Sequence, residues 1–293
     1  MALMGCSLKE VKNLIDNIDK VREKIRQDET FLLDIEHHGK SYDSIKEYLT
    51  NFTSYLRYSE EASCERFYRV RKSEGGEPYK TVKDLKYPDP DIKHEDRMNN
   101  TSFRVLYTSL HEFTAMAESR IDDSFVGKNF QLTRFSRKNP LKVYRLGLFS
   151  ELYLNSPRDS ELVIKKTEAL LGDGDHDRTI QGYSALEAAM SNILYDQEKG
   201  YHVLSSILAD AVFSTCPNIE AIMYPSMQNR YGINVAFNKE SADALKPTYS
   251  IMNKITEVHK NGFFRYVTEM ECIDFSTPED LTYTSVAPRT TYR

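Results

Sequence analysis

No apolar run in the chain approaches the ~18 residues that crossing a bilayer requires, so a membrane-spanning helix is not expected. The opening MALMGCSLKEVKN has a short apolar patch without a basic stretch ahead of it. Ala2 rather than glycine follows the first Met, so neither a secretory signal nor myristoylation is expected. Cysteine is scarce: Cys6, Cys64, Cys216 and Cys272 lie far apart with no CxxC pair. They read as free thiols in a reducing, cytoplasmic compartment rather than as a disulfide framework. An excess of one charge is also lacking. The 39 basic and 44 acidic residues leave a net charge of −5, which gives no general pull toward phosphate backbones, so no direct nucleic-acid binding is expected. There is no Gly-x-Gly-x-x-Gly fingerprint and no P-loop, so a dinucleotide held as a hydride carrier in a doubly wound sheet is unsupported.

What the chain does have is ordinary globular chemistry, 40% hydrophobic and 28% charged over 293 residues, enough for one large domain or two small ones. Val11, Leu14, Ile15, Ile18, Val21 and Ile25 recur at helical spacing behind a Ser7–Glu10 capping box. Ile45, Leu49, Phe52 and Leu56 repeat the pattern, and Gly39 stands where a connection is needed. Residues 1–62 therefore read as an N-terminal helical hairpin.

The texture changes at Arg66. Phe67–Val70, Phe103–Tyr107, Phe130–Phe135, Val143–Phe149, Ile219–Tyr224, Ile233–Phe237 and Phe263–Val267 are strand candidates. Ser109 with Glu112 reads as a capping box for a helix running to about Arg120. Residues 156–195 read as helices around a polar loop at 172–178. Further helices are expected over 201–213 and near 247–260, with a loose tail from Thr282. Strands and helices without regular alternation predict an α+β fold.

Three stretches taken together resemble the RES domain family. The first is Phe67–Tyr68–Arg69–Val70. The second is Arg97–Met98–Asn99–Asn100, then Arg104–Val105–Leu106–Tyr107–Thr108–Ser109, then Ala117–Glu118. The third is Tyr224–Pro225–Ser226 followed by Gly232–Ile233–Asn234–Val235–Ala236–Phe237. Asp96 stands where the family has glycine, and Met98 where it has tryptophan. The resemblance implies an ADP-ribosyltransferase-like catalytic domain over 63–242, with a C-terminal extension over 243–293. It implies a toxin of a toxin–antitoxin pair that degrades NAD by cleaving the nicotinamide–ribose bond, as a glycohydrolase or phosphorylase. An ADP-ribosyltransferase acting on a protein or other target, and an inactive NAD-fold binding module, are the alternatives. NAD is then a substrate, with no separate cofactor and no metal. An antitoxin or regulatory protein is the expected partner, and a homo-oligomer is left open.

The residue types suit that chemistry. Departure of neutral nicotinamide leaves positive charge on the ribose, which a carboxylate can stabilise. Glu118 is the candidate, one step beyond Ala117 and bordering an expected apolar face of Leu110, Phe113, Ala117 and Ile121. Arg97 and Arg69 could grip the pyrophosphate through paired donors. Tyr107, closing its strand, could stack on nicotinamide or place a ribose hydroxyl. Ser226 could hydrogen-bond the ribose or help place the attacking water or phosphate. From the resemblance, Tyr68 and Asn234 join Arg69 as NAD-binding residues. Two other clusters read as polar surface. Asp173–Asp177 begins like a calcium loop, but Arg178 and Ser184 occupy positions where that loop needs glycine and glutamate. His37–His38 with Asp34 and Glu36 point in different directions on a helix.

Overall fold

A computed structural model describes residues 7–56, 59–73, 75–87, 98–99, 104–147, 165, 176–195, 202–216, 218–229, 232–259 and 263–292. In chain order the helices are α1 Leu8–Gln27, α2 Glu29–Glu36, α3 Lys40–Thr53, α4 Val82–Lys86, α5 Glu112–Glu118, α6 His176–Tyr195, α7 His202–Thr215 and α8 Lys239–Ala244. The strands are β1 Ser59–Ala62, β2 Arg66–Ser73, β3 Leu106–Ser109, β4 Asn129–Ser136, β5 Leu141–Arg145, β6 Ala221–Pro225, β7 Ile233–Phe237, β8 Lys246–His259, β9 Phe263–Cys272 and β10 Thr284–Tyr292. The fold class is α+β. No helix among the described residues is long and apolar enough to cross a membrane.

The chain divides into two compact units. One comprises Met1–Glu60, Glu95–Arg104 and Lys142–Ile222. Its first helix forms as the spacing predicts: Ser7 and Glu10 close the capping box, and Val11, Leu14, Ile18 and Ile25 are buried, although Ile15 is exposed. The expected hairpin is in fact three helices. Asp28 ends α1, and its carboxylate accepts from the Phe31 backbone N–H at 3.0 Å, starting α2. Short polar side chains compete with the helix for its own backbone donors, so one aspartate suffices to break a continuous apolar pattern. Gly39 then begins α3 where the Asp34 side chain crosses the backbone, leaving no room for a Cβ. Within this unit α3 packs on α7, and Asp210 of α7 receives both the Tyr42 hydroxyl at 2.7 Å and the Lys46 ammonium at 2.8 Å.

The other unit comprises Glu61–His94, Val105–Leu141 and Met223–Arg293. Its strands lie in the order β7-β3-β2-β4-β8-β9-β10, every neighbouring pair antiparallel. Met116 of α5, then Ile121 and Phe125, pack on Phe130, Leu132, Ile255, Phe264 and Tyr266, and this cluster seats α5 on the sheet. Burying Met116 and Ile121 contributes on the order of 1.5–3 kcal/mol each.

Three expectations for this unit are corrected. The helix near 247–260 is strand β8. Ile251, Ile255 and Val258 sit four and three residues apart, which imitates a helix face, yet all three pack against one cluster. The pairing of β8 with β9 shifts register between Ile255 and Glu257, and that irregularity returns Val258 to the same side. The loose tail is β10, an almost wholly exposed edge strand whose burial gives no alternation to read; its register shifts around Pro288, as an edge tolerates. The Ser109–Glu112 capping box is absent. Ser109 ends β3, and α5 starts after His111 with no side-chain cap.

Candidate functional site

The site is built on two neighbouring strands and the helix above them. β3 and β7 pair over four residues, with Tyr107 opposite Ala236 and Ser109 opposite Asn234. β2 meets β3 at Tyr68 opposite Ser109. Directly opposed residues share a face, and alternate residues along a strand return to it. Tyr68, Tyr107, Ser109 and Asn234 therefore project from one side of the sheet. That side carries α5, because Tyr68 packs against the cluster containing Met116.

Glu118, the last residue of α5, is half-buried, and donors converge on one of its oxygens. The Ser226 hydroxyl donates to Oε1 at 2.5 Å, and Asn234 Nδ2 donates to the same atom at 2.8 Å. The Ser226 oxygen also accepts the backbone N–H groups of Asn229 at 2.9 Å and Gln228 at 3.2 Å. A hydroxyl has one proton and two lone pairs. Here the chain's own turn fills both lone pairs, so the proton has one place to go, the carboxylate. Ser226 and Asn234 are themselves buried, which makes each of these bonds costly to lose. Oε2 carries no hydrogen bond among the described residues.

Behind this first layer lies a second. Ser109 donates from Oγ to Asn234 Oδ1 at 2.8 Å. That fixes which way the amide faces and so presents Nδ2 to Glu118. The hydroxyl read as a helix cap is thus committed to the neighbouring strand. The loop after Ser226 is fastened to α5 by Asn229, whose Nδ2 donates to Thr114 Oγ1 at 2.9 Å, and is closed by Ser226 N–H to Gly232 O and Gly232 N–H to Asn229 O, both 2.8 Å. Gly232 lies so near Thr114 that a Cβ would fall 2.5 Å from both Oγ1 and Cγ2.

Of the residues singled out in the sequence, the structure joins Glu118, Ser226 and Asn234 directly and puts Tyr68 and Tyr107 on the same face. Arg69, next to Tyr68 and so on the opposite face of β2, donates from Nη1 to the Tyr107 backbone oxygen at 3.0 Å. Arg97 and residues 173–175 lie outside the described residues, whereas His176 and Asp177 open α6. Of the apolar face expected for α5, Phe113 and Ile121 do pack on the core cluster, but Leu110 and Ala117 are only half-buried and the residues of the helix that are buried are Thr114, Ala115 and Met116. The helix begins only at Glu112, so Leu110 belongs to the turn after β3 and cannot define a helix face. Ser109, Thr114 and Asn229 were not singled out as site residues. Ser109 lies within the matching stretch, but its bond to a strand more than a hundred residues away has no local signal. Among the described residues no three His, Cys, Asp or Glu side chains gather as a metal site. His37 Nδ1 lies 2.7 Å from the Leu33 backbone oxygen, and His38 stacks on Tyr42 at 4.0 Å.

The family model described as the RES domain matches residues 66–253. No curated protein and no solved structure shows a significant match to the chain.

Proposed function

The chain belongs to the RES domain family, and on that premise we propose that it cleaves NAD between nicotinamide and ribose, acting as a toxin whose partner is a small cleft-blocking antitoxin. The observation carrying this reading is the carboxylate of Glu118, pinned through Oε1 by the buried Ser226 and Asn234. As the C1′–N bond breaks, its electron pair leaves with nicotinamide and positive charge grows on the ribose. A carboxylate already held in place stabilises that charge without reorganising during the reaction. Water or phosphate then bonds to C1′ and loses a proton to solvent.

In this reading Glu118 is the catalytic residue, and Ser226 and Asn234 position it. Tyr68 and Tyr107 offer ring faces to the nicotinamide ribose side and Arg97 serves the pyrophosphate, while Arg69 braces β3 through the Tyr107 backbone oxygen. Ser226→Ala removes one of two donors from Oε1 and the acceptor that organises the 226–229 turn. NAD turnover is expected to fall roughly ten- to a hundred-fold, since a hydrogen bond to a charged group contributes about 1.5–3 kcal/mol. The rate measured beside the parent protein checks this.

The deciding experiment follows NAD and its products with purified full-length protein, with and without phosphate. Release of free nicotinamide and ADP-ribose in phosphate-free buffer supports hydrolysis, and turnover requiring phosphate supports phosphorolysis. Stable NAD in both buffers, with labelled ADP-ribose appearing on an added protein, replaces the reading with transfer to a target. Neither turnover nor NAD binding replaces it with a binding module.

A further inference from the structure

A single row of paired residues crosses five strands of the second unit: Asn234 on β7, Ser109 on β3, Tyr68 on β2, Arg134 on β4 and Tyr249 on β8. Opposed residues project to the same side, so the whole row faces α5. At one end Asn234 donates to Glu118. At the other, the Tyr249 hydroxyl donates to Oε1 of Glu112 at 2.6 Å. Glu112 and Glu118 are the first and last residues of α5. Each end of the helix is therefore tied by a carboxylate to one end of the same row.

The tie at Tyr249 is built to hold. Burial, and then the bond to Glu112, push its hydroxyl far above the usual phenol range, so it remains a donor. The Arg134 guanidinium lies over its ring, 4.4 Å from the centroid, and is itself fixed by Nε donating to Thr248 Oγ1 at 2.8 Å. The helix needs such a tie. With seven residues and no side-chain cap it is far shorter than the ~12–15 residues at which an isolated helix becomes even marginal. Its apolar contacts through Phe113 and Met116 are not directional, so the Tyr249 hydroxyl adds an oriented bond at its first residue.

We infer that Tyr249, through Glu112, is a positioning residue for Glu118: it sets the angle at which α5 delivers the carboxylate to the substrate. The inference rests on the catalytic reading of Glu118, but the tie can be measured without it. Tyr249→Phe keeps the ring beneath Arg134 and deletes the hydroxyl. In the full-length variant the α5 amides should exchange with solvent roughly ten-fold faster, as loss of one charge-assisted bond implies, while those of β9 keep their protection. NAD turnover should fall in kcat by a similar factor with KM nearly unchanged. Glu112→Gln keeps an acceptor oxygen without its charge and should fall between the parent and Tyr249→Phe in both properties. In a Glu112→Ala background, Tyr249→Phe should cause no further loss. Unchanged α5 exchange in Tyr249→Phe, or losses that add in the double variant, would overturn the inference. If the parent protein leaves NAD intact, the functional reading fails, and the exchange experiment still decides whether the tie exists.

Discussion

Glu118→Gln is expected to lower the rate of NAD breakdown by roughly 10²–10³-fold, the size of effect found when one preorganised electrostatic group is removed from a transition state. The substitution is nearly isosteric and keeps an oxygen able to accept from Ser226 and Asn234, the two donors at Oε1. The fold should therefore be preserved, with a melting temperature close to that of the parent. What disappears is the negative charge beside the ribose. The ground state loses less, because the positive charge of NAD starts spread over the nicotinamide ring and moves onto the ribose only as the bond breaks, so kcat should carry most of the loss. Steady-state rates beside a thermal melt separate this from a folding defect. Full activity in Glu118→Gln would remove the carboxylate from the mechanism, and Ser226 and Asn234 would then be buttressing an ordinary helix terminus.

The parts of the molecule legible in the sequence are those whose signal is local. α1 announces itself through the Ser7–Glu10 box and its apolar spacing, and β4 and β7 through dense aromatic and β-branched residues. The meeting of Glu118, Ser226 and Asn234 follows from stretches that match a family, not from spacing, since 108 residues separate Glu118 from Ser226. What sequence reasoning missed was decided across strands. β8 looks helical because a register shift against β9 converts an even alternation into a spacing of three. β10 looks like a tail because its stability comes from backbone pairing with β9 and almost none from side-chain burial. Ser109 looks like a cap because Ser three residues before Glu is the pattern of a cap, and nothing nearby reveals that Asn234 claims the hydroxyl first.

The same dependence on distant partners makes Gly232 a sensitive position. Gly232→Ala should both destabilise the protein and impair turnover, although the residue carries no side chain to touch a substrate. The added Cβ would lie 2.5 Å from Thr114 Oγ1 and Cγ2, and 3.0 Å from Asn229 Nδ2. Thr114 is completely buried on α5 and cannot swing into solvent, so the loop must move instead. Overpacking of this kind costs about 1–3 kcal/mol, or roughly 2–4 °C of melting temperature per kcal/mol in a domain of this size. Movement of the loop loosens the Asn229–Thr114 bond and the Ser226 N–H to Gly232 O bond together. Ser226 is then drawn from Glu118, and turnover should fall by at least the factor expected for Ser226→Ala. Adding Thr114→Ala removes the two colliding atoms at the cost of the Asn229 bond, so the double variant should regain part of the lost stability, a coupling that unrelated sites would not show. Melting curves and NAD turnover of the two single variants and the double variant test the argument. A Gly232→Ala protein that melts and turns over NAD like its parent would mean that the approach of the loop to α5 does not hold the site together.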